Sequence, residues 1–278
     1  MTIPILYKYL DPAGAKALLS NLTFKFSPPN QLNDPFEFMP GGYTGDTPEE
    51  RLRRQMELIY SEKYRLHWNQ KTGMSIPSED WKDFVNDFPD NEKEILANAV
   101  FDAAQERNWK PFVDRISTSF GLTCFSCKVD SMLMWSHYAK SHQGIAIGFN
   151  LKNYSKKLHK VKYVEQRIKI PLSSTCNDEE EKKAIMLSVM TSKSTDWRYE
   201  EEWRLIDHLP PEQDGLYLFK FDPRIILSIY WGTNITEDDK NEIMLMIKNL
   251  PNYRDIKIFH MSPVKDKFAL EPRPQMFI

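Results

Sequence analysis

The periodicity of the sequence changes twice, and these changes constrain the fold more than any other feature. Residues 1–37 and 117–278 alternate apolar and polar positions in short runs, which is typical of β-strands. The part between them, residues 47–116, instead repeats apolar positions at helical spacing, over 51–60, 80–87 and 92–109. We therefore predict one α+β domain over residues 1–278, within which residues 47–116 form a helical insertion.

The order of the other predicted elements narrows the fold class. We predict strands over 5–10, 22–27, 121–126, 144–149, 161–164, 202–206, 216–219, 225–231 and 255–260. Helices are predicted over 13–20, 131–139, 178–193 and 237–250, with Asp11 as the cap of the first and Pro12 at its start. The strand over 144–149 has no charged residue, which predicts an interior position. Strands and helices do not alternate regularly, which predicts a mixed, mostly antiparallel sheet. Neither GxGxxG nor GxxxxGK[ST] occurs, so a standard dinucleotide or P-loop site has no support.

Composition excludes several classes of protein. A net charge of -2 argues against a protein that coats nucleic acid, although it leaves room for a local basic face. No apolar run reaches the roughly 18 residues that span a bilayer, and the first residues do not resemble a secretory signal. Three cysteines do not make a disulfide framework. We therefore expect a reduced, cytoplasmic protein that does not enter a membrane.

Two cysteines and two histidines have the residue types of a zinc-ligand set. Cys124 and Cys127 are followed by His137 and His142, but the gap between the pairs is shorter than in a zinc finger. Cys124 also lies within a predicted strand that continues past it. We therefore expect two buried or half-buried thiols and no bound metal.

Three separated segments carry the candidate site, namely residues 33–37 (Asn-Asp-Pro-Phe-Glu), 135–139 (Trp-Ser-His-Tyr-Ala) and 200–204 (Glu-Glu-Glu-Trp-Arg). On a helix, Trp135 and Tyr138 share one face, so they form either a stacking wall for a planar ligand or part of a core. If Glu202 begins a strand, its carboxylate and that of Glu200 project to one face. Such crowding indicates either chemistry or a charged turn neutralised by neighbouring arginines.

The combined pattern resembles a known family. An initial Tyr-Lys-Tyr strand is followed by Phe-Ser-x-Pro-x-x-x-Asn-Asp-Pro-Phe-Glu, then by Met-Trp-Ser-His-Tyr-Ala-x-x-His-x-Gly-Ile-x-Ile-Gly-Phe. Lys193-Ser194 and Trp197-x-Tyr-Glu-x-Glu-Trp-Arg-Leu come later, and Ile-Tyr-Trp-Gly precedes the final helix. These motifs resemble a bacterial domain-of-unknown-function family, number 2971, whose layout is similar to the ADP-ribosyltransferase fold.

The resemblance implies a site for NAD as substrate. In that fold the first strand contacts NAD, an aromatic after a strand-helix unit stacks on nicotinamide, and a late strand begins with the catalytic Glu. This chain has Lys8 or Tyr9 where a His is common in the first strand. The resemblance implies Glu202 and Glu200 as catalytic residues, and as NAD-contacting residues Tyr7, Tyr9, Ser27, Asn33, Asp34, Trp135, His137 and Tyr138.

The sequence is compatible with three functions. The first is an NAD-dependent ADP-ribosyltransferase or NAD glycohydrolase of the toxin or defence type, with an unknown macromolecular acceptor. A second is a non-catalytic module on the same scaffold that binds a small ligand or nucleic acid, with Glu202 paired to an arginine. The third is a metal-dependent hydrolase or nuclease that uses Asp34, Glu37 and His137.

Overall fold

An eight-stranded sheet organises most of the chain. The computed structural model describes residues 2–41, 43–44, 53, 56–89, 91–93, 95–96, 114, 116–171 and 179–275. The strands are β1 Leu6–Leu10, β2 Thr23–Phe26, β3 Tyr43–Thr44, β4 Phe120–Ser126, β5 Ile145–Phe149, β6 Leu158–Lys160, β7 Lys162–Val164, β8 Ile170–Pro171, β9 Ser192–Ser194, β10 Glu202–His208, β11 Glu212–Gln213, β12 Leu216–Lys220, β13 Ile226–Trp231, β14 Lys257–Pro263 and β15 Leu270–Pro274. The helices are α1 Pro12–Asn21, α2 Glu62–Thr72, α3 Trp81–Asn86, α4 Met132–Tyr138, α5 Glu179–Met190 and α6 Glu237–Lys248.

The sheet confirms the predicted α+β class with a mostly antiparallel core. Its order is β15-β14-β13-β5-β1-β4-β10-β6, and every neighbouring pair is antiparallel except β13 with β14. The uncharged strand β5 lies inside the sheet and is buried along its whole length. Strands β11, β12 and β2 form a separate antiparallel sheet, whereas β7 and β9 pair in parallel.

The chain divides into two compact units. The first comprises residues 1–38, 115–166 and 188–278 and contains the eight-stranded sheet. The second comprises residues 39–114 and 167–187, where Ile59, Trp81 and Val85 form a small buried cluster. Within it the Trp81 indole donates to the Ile59 carbonyl at 2.8 Å. Much of the predicted helix over 92–109 lies outside the described residues, and the single-domain organisation with an insertion stays a prediction.

Each face of the sheet has its own apolar core, because side chains alternate along strands. On one face, Leu6 and Ile147 pack with residues of α1 and α6 such as Leu18 and Ile243. Asp11 caps α1, as predicted, by accepting from the Gly14 amide at 2.6 Å. On the opposite face, Tyr9, Ala146 and Tyr230 of the sheet pack against Met134 and Trp135 of α4. The candidate site lies on this second, more aromatic face.

Two predicted elements end differently from their sequence patterns. The predicted helix over 178–193 ends at Met190, because residues 192–194 pair with β7 as strand β9. The predicted strand over 161–164 is preceded by another strand, β6, that the pattern did not indicate. The chain changes partner at Val161, whose amide donates to the Glu202 carbonyl, whereas the Lys162 amide donates to Thr191. Both differences arise from long-range pairing, which overrides local propensity.

Pairing between β1 and β4 is unusually sparse. Among their residues, all of which the structure describes, only Tyr7 and Ser126 are in register, whereas β1 pairs with β5 along its whole length. Lys8 Nζ donates to Thr123 Oγ1 at 2.7 Å and to the Cys124 carbonyl at 3.1 Å. We call this stretch the β1–β4 seam. A side chain there takes the place of main-chain ladder bonds.

Candidate functional site

Five charged side chains meet beside the start of β10. Glu37, Lys193, Glu200, Glu202 and Arg204 are each less than 8% exposed. Lys193 Nζ donates to Glu200 Oε2 at 2.7 Å and lies 3.0 Å from Glu37 Oε1. It is also 3.3 Å from Glu202 Oε2. We call these five residues the ion cluster.

Arginine 204 fixes the orientation of Glu202. Its Nε and Nη2 donate to the two Glu202 carboxylate oxygens at 2.8 and 3.1 Å, which is a bidentate pair. The same Nη2 donates to Glu37 Oε1 at 2.8 Å, and Nη1 donates to the Met190 carbonyl at 2.8 Å. Phe38 lies 5.6 Å from the guanidinium carbon. Glu202 is therefore held by the fold itself.

The two neighbouring glutamates reach the cluster from different backbone conformations. Glu200 ends a 3-10 helix, Thr195–Glu200, and lies outside β10. The prediction that Glu200 and Glu202 project to one face of the same strand is therefore wrong. Glu201 follows in the left-handed region with φ 42°, and Glu202 then begins the strand. The Glu201 side chain consequently points away from its neighbours and pairs with Lys128 at 2.8 Å. This single left-handed residue brings the flanking carboxylates together.

The loop over residues 33–37 places Glu37 in the ion cluster. The Asp34 carboxylate accepts from the Phe36 amide at 2.9 Å, so it shapes the turn, as expected for an Asx-type residue before proline. Asp34 is itself buried. Glu37 thereby enters a cluster whose other members come from residues 193–204. The Asn-Asp-Pro pattern indicated a loop but not where that loop leads.

The local charges separate the protonation behaviour of the two site glutamates. Burial raises the pKa of Glu200, and the Glu202 charge adds to this effect, although Lys193 opposes both. Burial acts in the same direction on Glu202, but Arg204 and Lys193 outweigh it and hold its pKa at about 2. Glu200 therefore keeps a proton to higher pH than an ordinary carboxyl group does, whereas Glu202 stays ionised.

A cavity of about 340 Å³ opens beside the ion cluster. It is lined by Tyr7, Lys8, Tyr9, Gln31, Leu32, Asn33, Glu37, Cys124, Phe125, Ser126, Met134, Tyr138, Lys193, Glu200 and Glu202. These residues come from both strands of the β1–β4 seam, residues 31–37, α4 and the cluster. The Tyr138 hydroxyl donates to Glu200 Oε1 at 2.6 Å and so joins the aromatic wall to a carboxylate. Burial, followed by Glu200, raises the pKa of Tyr138, which keeps this hydroxyl a donor.

Six of the ten residues singled out in the sequence line this cavity, namely Tyr7, Tyr9, Asn33, Tyr138, Glu200 and Glu202. Four do not: Ser27, Asp34, Trp135 and His137. Ser27 exchanges main-chain hydrogen bonds with Leu122 beside the seam. Asp34 is occupied by its own turn, as described above.

Trp135 and His137 lie outside the cavity for different reasons. The Trp135 indole is fully buried, packs edge-on against Tyr9 and donates to the Val129 carbonyl at 2.7 Å. It therefore supports the cavity wall from behind and does not form the stacking surface expected with Tyr138. His137 is exposed, and its Nδ1 lies 3.1 Å from the Tyr199 hydroxyl.

Cys127 and the three hydrolase candidates already have partners of their own. Cys127 Sγ donates to Glu201 Oε2 at 3.0 Å, and burial raises the pKa of this thiol to about 11. Within the described ranges, no group of three or more His, Cys, Asp and Glu side chains could hold a metal ion. Asp34, Glu37 and His137 form no such group. Glu37 instead accepts from Lys193 and Arg204. Cys176 lies outside the described residues.

Sequence reasoning gave Lys193 no role, although it touches all three cluster carboxylates. The ammonium also lies 4.7 Å from the centre of the Trp197 ring. The one available signal was the Lys-Ser pair four residues before Trp197, which entered only as part of the family pattern. A charged residue in a predicted amphipathic helix indicates a solvated face, so its burial was not foreseen.

We predict that Glu202 makes folding stability sensitive to acid. Its pKa of about 2 lies below the ordinary carboxyl value, so its contribution is present above about pH 4.5 and is lost as pH falls toward 2. Glu202→Gln should flatten the dependence of the free energy of unfolding on pH in this window, by up to about 1.4 kcal/mol per pH unit. Urea titrations between about pH 2 and 5, which cover the window between the folded and unfolded pKa values, give both slopes. Equal slopes would contradict the assigned pKa.

Comparison with known proteins gives one family match, over part of the chain. A family described as "Protein of unknown function (DUF2971)" matches residues 134–205, the stretch that contains Tyr138, Lys193, Glu200 and Glu202. No curated protein and no solved structure matches the chain. Among the described helices, none combines the length and apolar character that a membrane crossing requires. Residues 134–205 thus match the family that the motifs of the sequence resemble.

Proposed function

We propose that this protein cleaves the nicotinamide–ribose bond of NAD, as an ADP-ribosyltransferase or an NAD glycohydrolase. The observation that carries the proposal is that Tyr9, Tyr138 and Glu202 line a single cavity. These are the residues at the three positions that the ADP-ribosyltransferase resemblance singles out. They come from β1, from the helix after β4 and from the start of β10, and β1, β4 and β10 are adjacent in the sheet.

The charge of the cavity supports this substrate class. With all groups ionised, the ion cluster has three carboxylates against two cations, which leaves one net negative charge. Lys8 also lines the cavity, but its Nζ donates to Thr123 and to the Cys124 carbonyl, and burial lowers its pKa, which weakens its opposing charge. Tyrosine rings line the wall beside it, and both an aromatic face and a buried carboxylate attract a cationic ring. Oxidised nicotinamide is a positively charged pyridinium, whereas the reduced ring is neutral. The cavity is therefore suited to NAD+ rather than NADH.

The cluster also provides the two kinds of group that bond cleavage needs. Loss of nicotinamide leaves positive charge on the ribose, and a fixed ionised carboxylate such as Glu202 stabilises that charge without reorganising. Glu200, with its raised pKa and its hydrogen bond to Tyr138, is suited to take a proton from the attacking water or acceptor. In this proposal Lys193 and Arg204 hold the carboxylates in place.

A thermal-shift and turnover experiment tests the proposal. We expect NAD+ at about 100 times its dissociation constant to stabilise the protein by about 2.7 kcal/mol. NADH at the same concentration is the matched control and should stabilise less. Release of nicotinamide, followed by chromatography, reports turnover. Absence of both NAD+ binding and nicotinamide release would refute the proposal.

One observation favours a second candidate, a non-catalytic binding module. Glu202 is bidentate with a fully buried arginine, which is also the arrangement of a purely structural residue. Under this alternative the cavity still binds a planar ligand but releases no nicotinamide. Stabilisation by NAD+ without turnover, under the conditions above, would favour it.

A further inference from the structure

The segment from residue 150 to residue 164 has a charge unlike that of the rest of the chain. It contains five lysines and one histidine but no aspartate or glutamate. The chain as a whole carries 37 basic and 39 acidic side chains. We call residues 150–164 the basic segment. A local excess of this size in a nearly neutral protein indicates a polyanionic partner or an exposed edge that needs protection.

Most of these lysines are free to meet a partner. Lys152, Lys156, Lys160 and Lys162 are exposed, and none has an ion-pair partner within the part of the chain that the structure describes. Lys157 alone is neutralised, by Asp207 at 2.5 Å. Four unpaired cations thus project from one continuous stretch of backbone.

The backbone that presents them is fixed on its other side. Strand β6 pairs with β10, and β7 pairs with β9. The Val161 amide between them donates to the Glu202 carbonyl at 2.9 Å. Charges on a fixed backbone bind a phosphate chain with a smaller ordering cost than charges on a mobile loop.

Two simpler explanations account for only part of the pattern. Lysines on an edge strand discourage sheets from pairing, and β6 is the edge of the eight-stranded sheet. However, Lys152 and Lys156 precede β6, where there is no strand edge to protect. A membrane surface needs exposed apolar side chains beside the cations, but Leu158 and Val161 are buried.

The basic segment leads directly to the ion cluster. Tyr163 lies opposite Lys193 in the β7–β9 pair, and its hydroxyl is 2.9 Å from the Glu202 amide nitrogen. On the next strand, Lys160 lies opposite Trp203, so its side chain is on the Trp203 side of the sheet, and the ion cluster is on the other side. A chain of phosphates held by the exposed lysines would therefore run along the sheet edge that borders the site, and a nucleotide must pass around this edge to reach the cavity.

We infer that the basic segment binds the phosphate backbone of a single-stranded nucleic acid, and that this nucleic acid is the macromolecular acceptor. The second half of this inference rests on the proposed function, whereas the binding itself does not. Its affinity should be salt-dependent and insensitive to sequence, because the contacts are to phosphates.

The experiment uses the full chain and a labelled single-stranded oligonucleotide of about 20 nucleotides, longer than one typical binding site. The test variant combines Lys156→Gln, Lys160→Gln and Lys162→Gln. The matched control combines Lys220→Gln, Lys248→Gln and Lys257→Gln, which are exposed lysines elsewhere and remove the same charge. Affinity is measured by fluorescence anisotropy over a series of salt concentrations without NAD, and melting temperatures verify that both variants are folded.

We expect the test variant to bind at least 10-fold more weakly than the wild type, and the control to bind like the wild type. The slope of log affinity against log salt should decrease in magnitude by about 2, which corresponds to three lost phosphate contacts. Equal weakening in both variants, no binding by the wild type, or binding only to phosphatidylserine vesicles would each overturn the inference. Since NAD is absent, these outcomes are independent of nicotinamide release, and oligonucleotide binding by a protein that does not turn over NAD would overturn only the acceptor role.

Discussion

We expect Glu200→Gln to lower NAD turnover by about 10²- to 10⁴-fold, the usual contribution of a general acid or base. Burial and the Glu202 charge raise the pKa of Glu200, so this carboxyl exchanges a proton at higher pH than an ordinary carboxyl does. Glutamine keeps the shape and can still accept from Tyr138, but it cannot take up a proton. The wild-type rate should rise with pH through the raised pKa, and the variant should lose that rise.

The adjacent Glu201→Gln is the control for this prediction. Glu201 has the same chemistry, but it pairs with Lys128 and does not line the cavity. Its substitution should leave turnover unchanged. Nicotinamide release and the melting temperature are measured on both variants. Full turnover in the Glu200 variant, or an equal loss in the Glu201 variant, would show that Glu200 has no special role.

The largest effect on stability is expected for Arg204→Met. The guanidinium is fully buried and pairs with both Glu202 and Glu37. Methionine fills similar volume but leaves the three buried carboxylates of the ion cluster with only Lys193 to neutralise them. Removing one partner of a buried ion pair costs about 3–5 kcal/mol. Urea unfolding of the variant and the wild type at neutral pH measures this loss.

An exposed arginine provides the comparison. Arg224 also pairs with a carboxylate, Asp222, but its side chain is 76% exposed. Arg224→Met should not change the melting temperature measurably, since exposed pairs contribute little. Adding Glu202→Gln to Arg204→Met should recover part of the lost stability, because one uncompensated charge is removed. Strictly additive losses would mean that Arg204 and Glu202 are not energetically coupled.

Local patterns in the sequence predicted the elements around the site. Asp11 and Pro12 indicated the start of α1, and the uncharged run at 145–149 indicated an interior strand. These signals depend on neighbours along the chain, which a sequence displays directly. The same holds for Tyr138, whose place in a short aromatic helix was evident.

Partners distant in sequence were not predictable in this way. Lys193 contacts Glu37 across more than 150 positions, and that contact depends on strand order rather than periodicity. The strand β9, which carries Lys193, exists because β7 is available to pair with it. Likewise, Glu200 and Glu202 converge through the left-handed backbone of Glu201, which no residue preference indicated.

The β1–β4 seam also determines how the cavity can change its size. Within each half of the eight-stranded sheet, main-chain ladders join the strands, with one register shift between Ile226 and Ser228 in the β13–β5 pair. Between the halves lie one registered pair, the Lys8 ammonium and the Tyr9 hydroxyl, which donates to the Lys128 carbonyl at 2.8 Å. Side-chain bonds exchange with solvent more readily than a full ladder separates, so we expect widening of the cavity to cost least along this seam. A bulky ligand is therefore expected to spread the two halves apart here, while each half keeps its main-chain hydrogen bonds.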